Sequence, residues 1–395
     1  MSENKAFSAT GNQMVADAIR QVDPDVMAAY PITPQTTIVE NYAKFVADGR
    51  VHTEYVTVES EHSALSACIG ASAAGARVAT ATSSQGLALM WEELHIASGM
   101  RCPIVMANAN RALSAPINIH GDHSDIMGAR DTGWIIMFAE TAQEAYDNTI
   151  ISFKVAEDSR VLLPVMTTLD GFVTTHAMER CEKEEDETVQ KYVGTYVPTM
   201  PLLDTDHPVG KGMFANLGDT YMKVKKVERN AIDGAAAVIE EHGKEWAEIC
   251  GRPFDMVDSW GTEDADFIIV VLGSLAGNAR FAARQMRAEG KKVGVVRPRV
   301  FRPFPGKQIA EACKNAKAVA VFDRADSYGA DHAPLGGEVI GAFYNAGMTV
   351  PVSNYVTGLG GADVTLDQMK QVFSELEECA AGTRKSELTY LGIQG

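Results

Sequence analysis

Twice along this sequence, short apolar runs alternate with stretches of helical length. From residue 13 to about 180 the candidate strands are DVMAAY (25–30), ARVATAT (76–82), PIVMANA (103–109), WIIMFA (134–139) and RVLLPVMTT (160–168). From Asp266 the pattern resumes with FIIVVLGS, KVGVVRPR and AVAVFDRAD, spaced by NARFAARQMRAEG and GKQIAEACKNA and followed by HAPLGGEVIGAFYNAG. Apolar strands joined by helices are buried on both faces, so the pattern predicts an α/β fold with two open, mostly parallel sheets flanked by helices. TLDQ, Thr365 to Gln368, reads as a capping box for a last helix.

Between the two alternations EKEEDE is followed by TYVPTMPLLDTDHPVGKGMFANLGD, which is rich in Pro, Gly and Asp and has no clear period. So long a structureless stretch is uncommon in a compact domain, which predicts a linker or an arm over a neighbour at about 182–222. A helix, KVERNAIDGAAAVIEEHGKEWAEI, closes it. The expected division is a first domain over 1–250, including the arm, and a second over 251–395. A length of 395 residues agrees, because single cores stop growing near ~250 residues.

Charge and cysteine usage narrow the function. A formal charge of −17 opposes a nucleic acid partner, whose phosphates are neutralised by Lys and Arg. No apolar run reaches the ~20 residues of a membrane span, and MSENKAFSATGN lacks the basic start and apolar core of a signal peptide, so the expected location is the cytoplasm. Cys68, Cys102, Cys181, Cys250, Cys313 and Cys379 are scattered, whereas zinc and iron–sulfur sites need clustered thiolates, so no metal is expected in this chain.

Four stretches carry chemistry. In TVESEHSALSACIGASAAGAR (57–77), Ser60 is a plausible N-cap that puts Glu61 in the first helical turn, where the helix dipole favours a carboxylate by ~0.3–1 kcal/mol. The small residues that follow allow another backbone or a flat ligand to come close. In AAYPITPQTTIVE a strand ends at Tyr30, and a helix is expected to begin at Pro34 with Thr33 as its cap. Such a turn is also where α/β folds bind ligands. In ATSSQGLALMWEELHIASG, the residues Thr82, Ser83, Ser84, Gln85 and Gly86 at a strand end suit a cofactor or phosphate, although capping alone also selects Ser and Thr. In NRALSAPINIHGDHSDIMGARDTGW, Arg111 behind its strand is a natural clamp for an acid substrate, against the commoner fate of a surface ion pair. His120, Asp122, His123 and Asp125 invite a metal reading, but their spacing matches no zinc pattern. LGSLAGN lacks GxGxxG spacing, and the arginines of RPRVFRPFP (297–305) suit either an anion or, more commonly, an interface loop.

Taken in order, YPITP, VESEHSA, TSSQG, NRALSAPINI with GDHSD, and RPRVFRPFP resemble the alpha subunit of the thiamine diphosphate-dependent 2-oxoacid:ferredoxin oxidoreductases, over about residues 8 to 375. Within that family the chain looks most like the oxalate oxidoreductase alpha subunit, with the pyruvate:ferredoxin enzymes as near relatives. The resemblance implies a first domain that binds the aminopyrimidine of thiamine diphosphate and a second that is similar to the transketolase C-terminal domain. It implies Glu61 as the catalytic carboxylate on the pyrimidine, with Glu59 in reserve. Thr33 and Arg111 would bind the substrate carboxylate and line the cofactor site together with Pro31. His120, if it lies inward, would serve as an extra donor to oxalate. The resemblance also implies partner subunits carrying the diphosphate and Mg²⁺ site and the [4Fe–4S] clusters, because this sequence has no GDG and no cysteine cluster. Ferredoxin would accept the electrons. The expected reaction is oxidative decarboxylation of oxalate to CO₂; the alternative is conversion of pyruvate to acetyl-CoA and CO₂. Two rivals from other classes are a non-catalytic scaffold and a nicotinamide dehydrogenase, and the second lacks its glycine fingerprint.

Overall fold

The computed structural model describes residues 6–393. A seven-stranded sheet runs in the order Val300–Arg302, Ile135–Ala139, Val165–Asp170, Ile104–Asn110, Val78–Thr82, Val26–Ala29, Glu54–Thr57. All its pairings are parallel except that of Val300–Arg302 with Ile135–Ala139. Its central strands are buried along their whole length, which is why they read as continuous apolar runs. A second, six-stranded sheet is ordered Leu388–Tyr390, Val352–Val356, Ala318–Asp323, Phe267–Val271, Val293–Pro298, Val257–Trp260, with only the last strand antiparallel. Helices cover both sheets, and this is the α/β architecture the alternation predicts.

Local signals account for several element boundaries. Ser60 caps helix Glu61–Ala74 by accepting a bond from the Ser63 N–H at 3.2 Å. The capping box at Thr365 is closed by Gln368, whose Oε1 accepts from the Thr365 N–H at 2.8 Å. The turn after Tyr30 departs from expectation. Its helix begins at Thr36 with Gln35 as N-cap, and Thr33 and Pro34 lie in the turn ahead of it. The buried Gln35 amide explains this, because its Nε2 donates to the Ala81 carbonyl at 2.8 Å and its Oε1 accepts from the Ile32 N–H, tying the turn to the next strand.

Two further departures concern the middle of the chain. A short strand, Glu179–Cys181, precedes the expected arm, which itself contains a helix, Asp186–Val193; the irregular part then runs to the long helix Thr220–Cys250. RPRVFRPFP is not a loop of the second domain alone. Its Val300–Arg302 pairs into the first sheet, so the two sheets share this segment as a junction. No helix among the described residues is long and apolar enough to cross a membrane.

Candidate active site

From strand Val26–Ala29 the chain passes to its neighbour Glu54–Thr57 on one side, then returns to Val78–Thr82 on the other. The connections therefore diverge between Val26–Ala29 and Val78–Thr82, and the crevice at the carboxyl ends of such strands is the usual ligand site of open α/β sheets. Pro31 and Thr33, Glu59 and Glu61, Thr82 to Gly86, and Arg111 each follow one of four adjacent strands at this edge.

The two carboxylates separate clearly. Glu59 is exposed, while Glu61 is only 8% exposed and has no hydrogen-bond or ion-pair partner among the described residues. A first-turn position offers ~0.3–1 kcal/mol, less than the several kcal/mol that removing a carboxylate from water costs when nothing compensates. Packing around Glu61 is close. A Cβ at Gly86 would lie 2.8 Å from Glu61 Oε1 and 2.5 Å from Thr82 Oγ1, so only glycine fits there. The Thr82 and Ser83 hydroxyls are buried without partners, and although Ser83 is the N-cap of helix Ser84–Leu89 its side chain makes no cap bond. Capping therefore does not explain Ser83. Behind the carboxylate, small residues let helix Glu61–Ala74 lie directly on the sheet, with Cys68 Sγ 3.7 Å from the Ala79 carbonyl. Burial pushes that thiol up to about 12.

Arg111 is 7% exposed and has no carboxylate within ion-pair distance among the described residues. Its Nη1 donates to the Thr33 carbonyl at 2.9 Å and its Nε to the Asn118 carbonyl at 3.1 Å. The structure thus brings Arg111 and Thr33 together, and leaves the guanidinium its charge for an anion. Pro31 is exposed at the strand end beside them.

Asp125 holds this edge in shape. Its carboxylate is buried and accepts from the backbone N–H groups of Ser84 (3.0 Å) and Arg111 (3.1 Å) and from the amides of Asn108 (3.2 Å) and Asn110 (3.1 Å). Burial raises it to about 6 against these donors. Ser84 sits at φ 49, a left-handed conformation that a non-glycine residue keeps only where its surroundings enforce it. Sequence reasoning missed Asn108 and Asn110; the available signal was two amides on one face of a strand end otherwise built from apolar residues.

Other candidates fall elsewhere. His120 is exposed, with Nδ1 3.2 Å from Asn118 Oδ1 and its ring against Phe172, so it does not turn inward as an oxalate donor would. HGDHSD forms a domain junction, not a metal centre. His123 Nε2 lies 2.6 Å from Asp170 Oδ1, Arg324 Nη1 lies 3.0 Å from Asp170 Oδ2, and Ser274 of the second domain donates to Asp170 from both N and Oγ. Among the described residues no group of three or more His, Cys, Asp or Glu side chains is arranged to hold a metal ion. The arginines of RPRVFRPFP are likewise engaged. Arg297 and Arg299 pair with Glu144 at 2.9 and 2.8 Å, and Arg302 with Glu338 at 2.6 Å. Burial would raise Glu144, but Arg299 and Arg297 more than reverse this and hold it down to about 2.

Comparison with known proteins identifies the family. Among solved structures the chain is similar to 2-oxoglutarate:ferredoxin oxidoreductase from Magnetococcus marinus (TM-score 0.72, 20% identity, 94% of this chain and 65% of that one). It is also similar to a split gene transketolase (TM-score 0.56, 12% identity, 95% of this chain and 99% of that one). At such identities the likeness is one of fold alone, an α/β fold with parallel-rich sheets flanked by helices. Two family descriptions match by sequence: "Pyruvate flavodoxin/ferredoxin oxidoreductase, thiamine diP-bdg" over residues 17–244, and "Pyruvate:ferredoxin oxidoreductase core domain II" over residues 265–369. Pyruvate synthase subunit PorA of Thermotoga maritima is 48% identical over 98% of this chain and 97% of its own length. The subunit of the same name from Methanocaldococcus jannaschii is 46% identical over 93% of this chain and 94% of its own length. Ketoisovalerate oxidoreductase subunit VorA of Pyrococcus abyssi is 41% identical, over 93% of each chain. The chain belongs to the alpha subunits of the 2-oxoacid:ferredoxin oxidoreductases, and its first domain is of the thiamine diphosphate-binding kind. The residues present fit that cofactor in chemistry: Glu61 is a buried carboxyl without a partner among the described residues, packed against Gly86 beside the unpartnered hydroxyls of Thr82 and Ser83.

Proposed function

We propose that this chain is the alpha subunit of a pyruvate:ferredoxin oxidoreductase, with Glu61 engaging the aminopyrimidine of thiamine diphosphate and Arg111 and Thr33 receiving the carboxylate of the 2-oxoacid. The observation that carries the site is the buried Glu61 carboxyl without a partner among the described residues. For the substrate, relatives named pyruvate synthase along nearly their whole length support the pyruvate alternative over oxalate. The exposed His120 offers no support for a second substrate carboxylate.

When bound, thiamine diphosphate supplies a carbon nucleophile for the 2-oxo carbon and an electron sink as CO₂ leaves. Glu61 would hold the aminopyrimidine by a hydrogen bond from its buried carboxyl and would present it with a negative charge that favours proton transfer. Arg111 orients the substrate carboxylate and offsets its charge, which matters most in a site closed to water. Asp125 and Gln35 keep the two flanking turns in register. The overall reaction balances as pyruvate, coenzyme A and two oxidised ferredoxins giving acetyl-CoA, CO₂, a proton and two reduced ferredoxins. Partner subunits supply the diphosphate and Mg²⁺ site and the [4Fe–4S] clusters.

The test is viologen reduction by the anaerobically purified complex with pyruvate, 2-oxoisovalerate and oxalate, each with and without coenzyme A. Reduction by pyruvate that depends on coenzyme A is expected. Reduction by oxalate alone would overturn the pyruvate reading and leave the fold and Glu61 untouched.

A further inference from the structure

We propose that the glycine loop Gly358–Gly361 of the second domain positions the substrate clamp Arg111, acting through Asn118. The proposal rests on the reading of Arg111 as the residue that receives the substrate carboxylate. Two carbonyls fix the Arg111 guanidinium, those of Thr33 and Asn118. Thr33 belongs to a turn tied to the first sheet by Gln35. Asn118 is held differently. It ends a stretch, Ser114–Ile117, that is exposed throughout, and its side-chain Nδ2 donates to the Gly360 carbonyl at 2.9 Å.

Gly360 grips the segment a second time, its N–H donating to Asp122 Oδ2 at 3.0 Å, while Asp122 Oδ1 accepts from both N and Oγ of Ser124. Arg324 of the second domain donates to the Gly121 carbonyl at 2.6 Å and accepts from the His123 N–H at 2.7 Å. The segment 118–123 is therefore clipped to the second domain at four points, and one end of it carries the carbonyl that orients Arg111. The loop is built for this approach. Gly358, Gly360 and Gly361 have φ of 65°, 58° and 79°, and a Cβ at Gly360 or Gly361 would stand 2.4 Å from Asn118 Nδ2 or His120 Cβ. An L side chain at either place strains the backbone and pushes the segment away. A shift of this kind reaches the clamp through the Asn118 carbonyl.

The reconstituted complex is assayed as wild type, Asn118→Ala, Gly360→Ala and the double variant, measuring KM and kcat for the 2-oxoacid, half-saturation by thiamine diphosphate, and thermal unfolding. Each single variant should raise KM about tenfold or more, with a smaller change in kcat and the cofactor half-saturation within about twofold of wild type. The double variant should be no worse than the worse single, because both act through one contact. An unchanged KM in Asn118→Ala, or additive effects in the double, overturns the proposal. If Gly360→Ala does not fold, Asn118→Ala decides alone. Arg111→Gln separates the two layers: an unchanged KM there refutes the clamp itself, whereas a raised KM with normal Asn118→Ala kinetics refutes only the positioning role.

Discussion

The crevice at the first sheet and the junction between the domains are both buried and both charged, yet they are finished to different degrees. At the junction Arg297, Arg299, Glu140 and Glu144 meet one another, and Asp170 is shared by His123, Arg324 and Ser274. In the crevice Glu61 and Arg111 lack countercharges among the described residues, and the Thr82 and Ser83 hydroxyls lack partners. Folding alone favours the first arrangement, because an uncompensated buried ion costs several kcal/mol. The second is tolerated where a ligand completes it, and so a buried charge without a countercharge marks the candidate site more sharply than burial does, or than unpartnered polar atoms, which occur at the junction as well.

Breaking each region should have opposite signatures. The largest effect is expected for Glu61→Gln, which should lower turnover of the complex by about 10²–10⁴-fold without lowering its unfolding temperature, whereas exposed Glu59→Gln should stay within about twofold. Arg111→Gln comes next. Steady-state kinetics should show a loss in kcat/KM of about 30-fold or more, carried mainly by KM, as expected when one side of a buried, hydrogen-bonded charge pair is truncated. At the junction Glu144→Gln leaves Arg297 and Arg299 without their shared carboxylate and should destabilise the chain by about 3–5 kcal/mol in denaturant unfolding, with the folded fraction still turning over normally.

The smallest effect is a pH dependence beside the junction. Burial raises Asp323 to about 6, against donors from Leu335, Asn354 and Gly336. The folded state then keeps a proton that the unfolded chain has released near 3.8, so the stabilisation is present at low pH and is lost as pH rises through about 6. Unfolding temperatures of wild type and Asp323→Asn between pH 4 and 7 should show wild type falling relative to the variant as pH rises. Glu144 has the opposite sign, its contribution being lost as pH falls from 4.5 towards about 2, so the two windows overlap only between 3.8 and 4.5.

Much of this architecture was legible because buried parallel strands leave continuous apolar runs, and the five strands expected in the first domain all exist. Glu54–Thr57 was missed because it is a four-residue edge strand with mixed exposure, and Val352–Val356 because it carries Ser353 and Asn354 among its apolar residues. Val300–Arg302 could not be assigned to the first sheet, since antiparallel pairing across domains leaves no periodicity. The candidate site was legible only as residue types at strand ends. What distinguishes Glu61 from Glu59, or Arg111 from Arg297, is whether a partner faces it, and that is a property of distant segments. HGDHSD shows the converse: metal-like chemistry in sequence, spent on Asp170, Gly360 and the strand ends.

The most direct measurement is the rate of hydrogen–deuterium exchange at C2 of thiamine diphosphate bound to the assembled complex, compared between wild type and Glu61→Gln by quenched-flow NMR. If Glu61 is the carboxylate that the cofactor completes, exchange should slow by about 10²-fold or more while the cofactor remains bound. Equal exchange rates in the two proteins would contradict the account, and would make the unpartnered carboxyl a feature of packing.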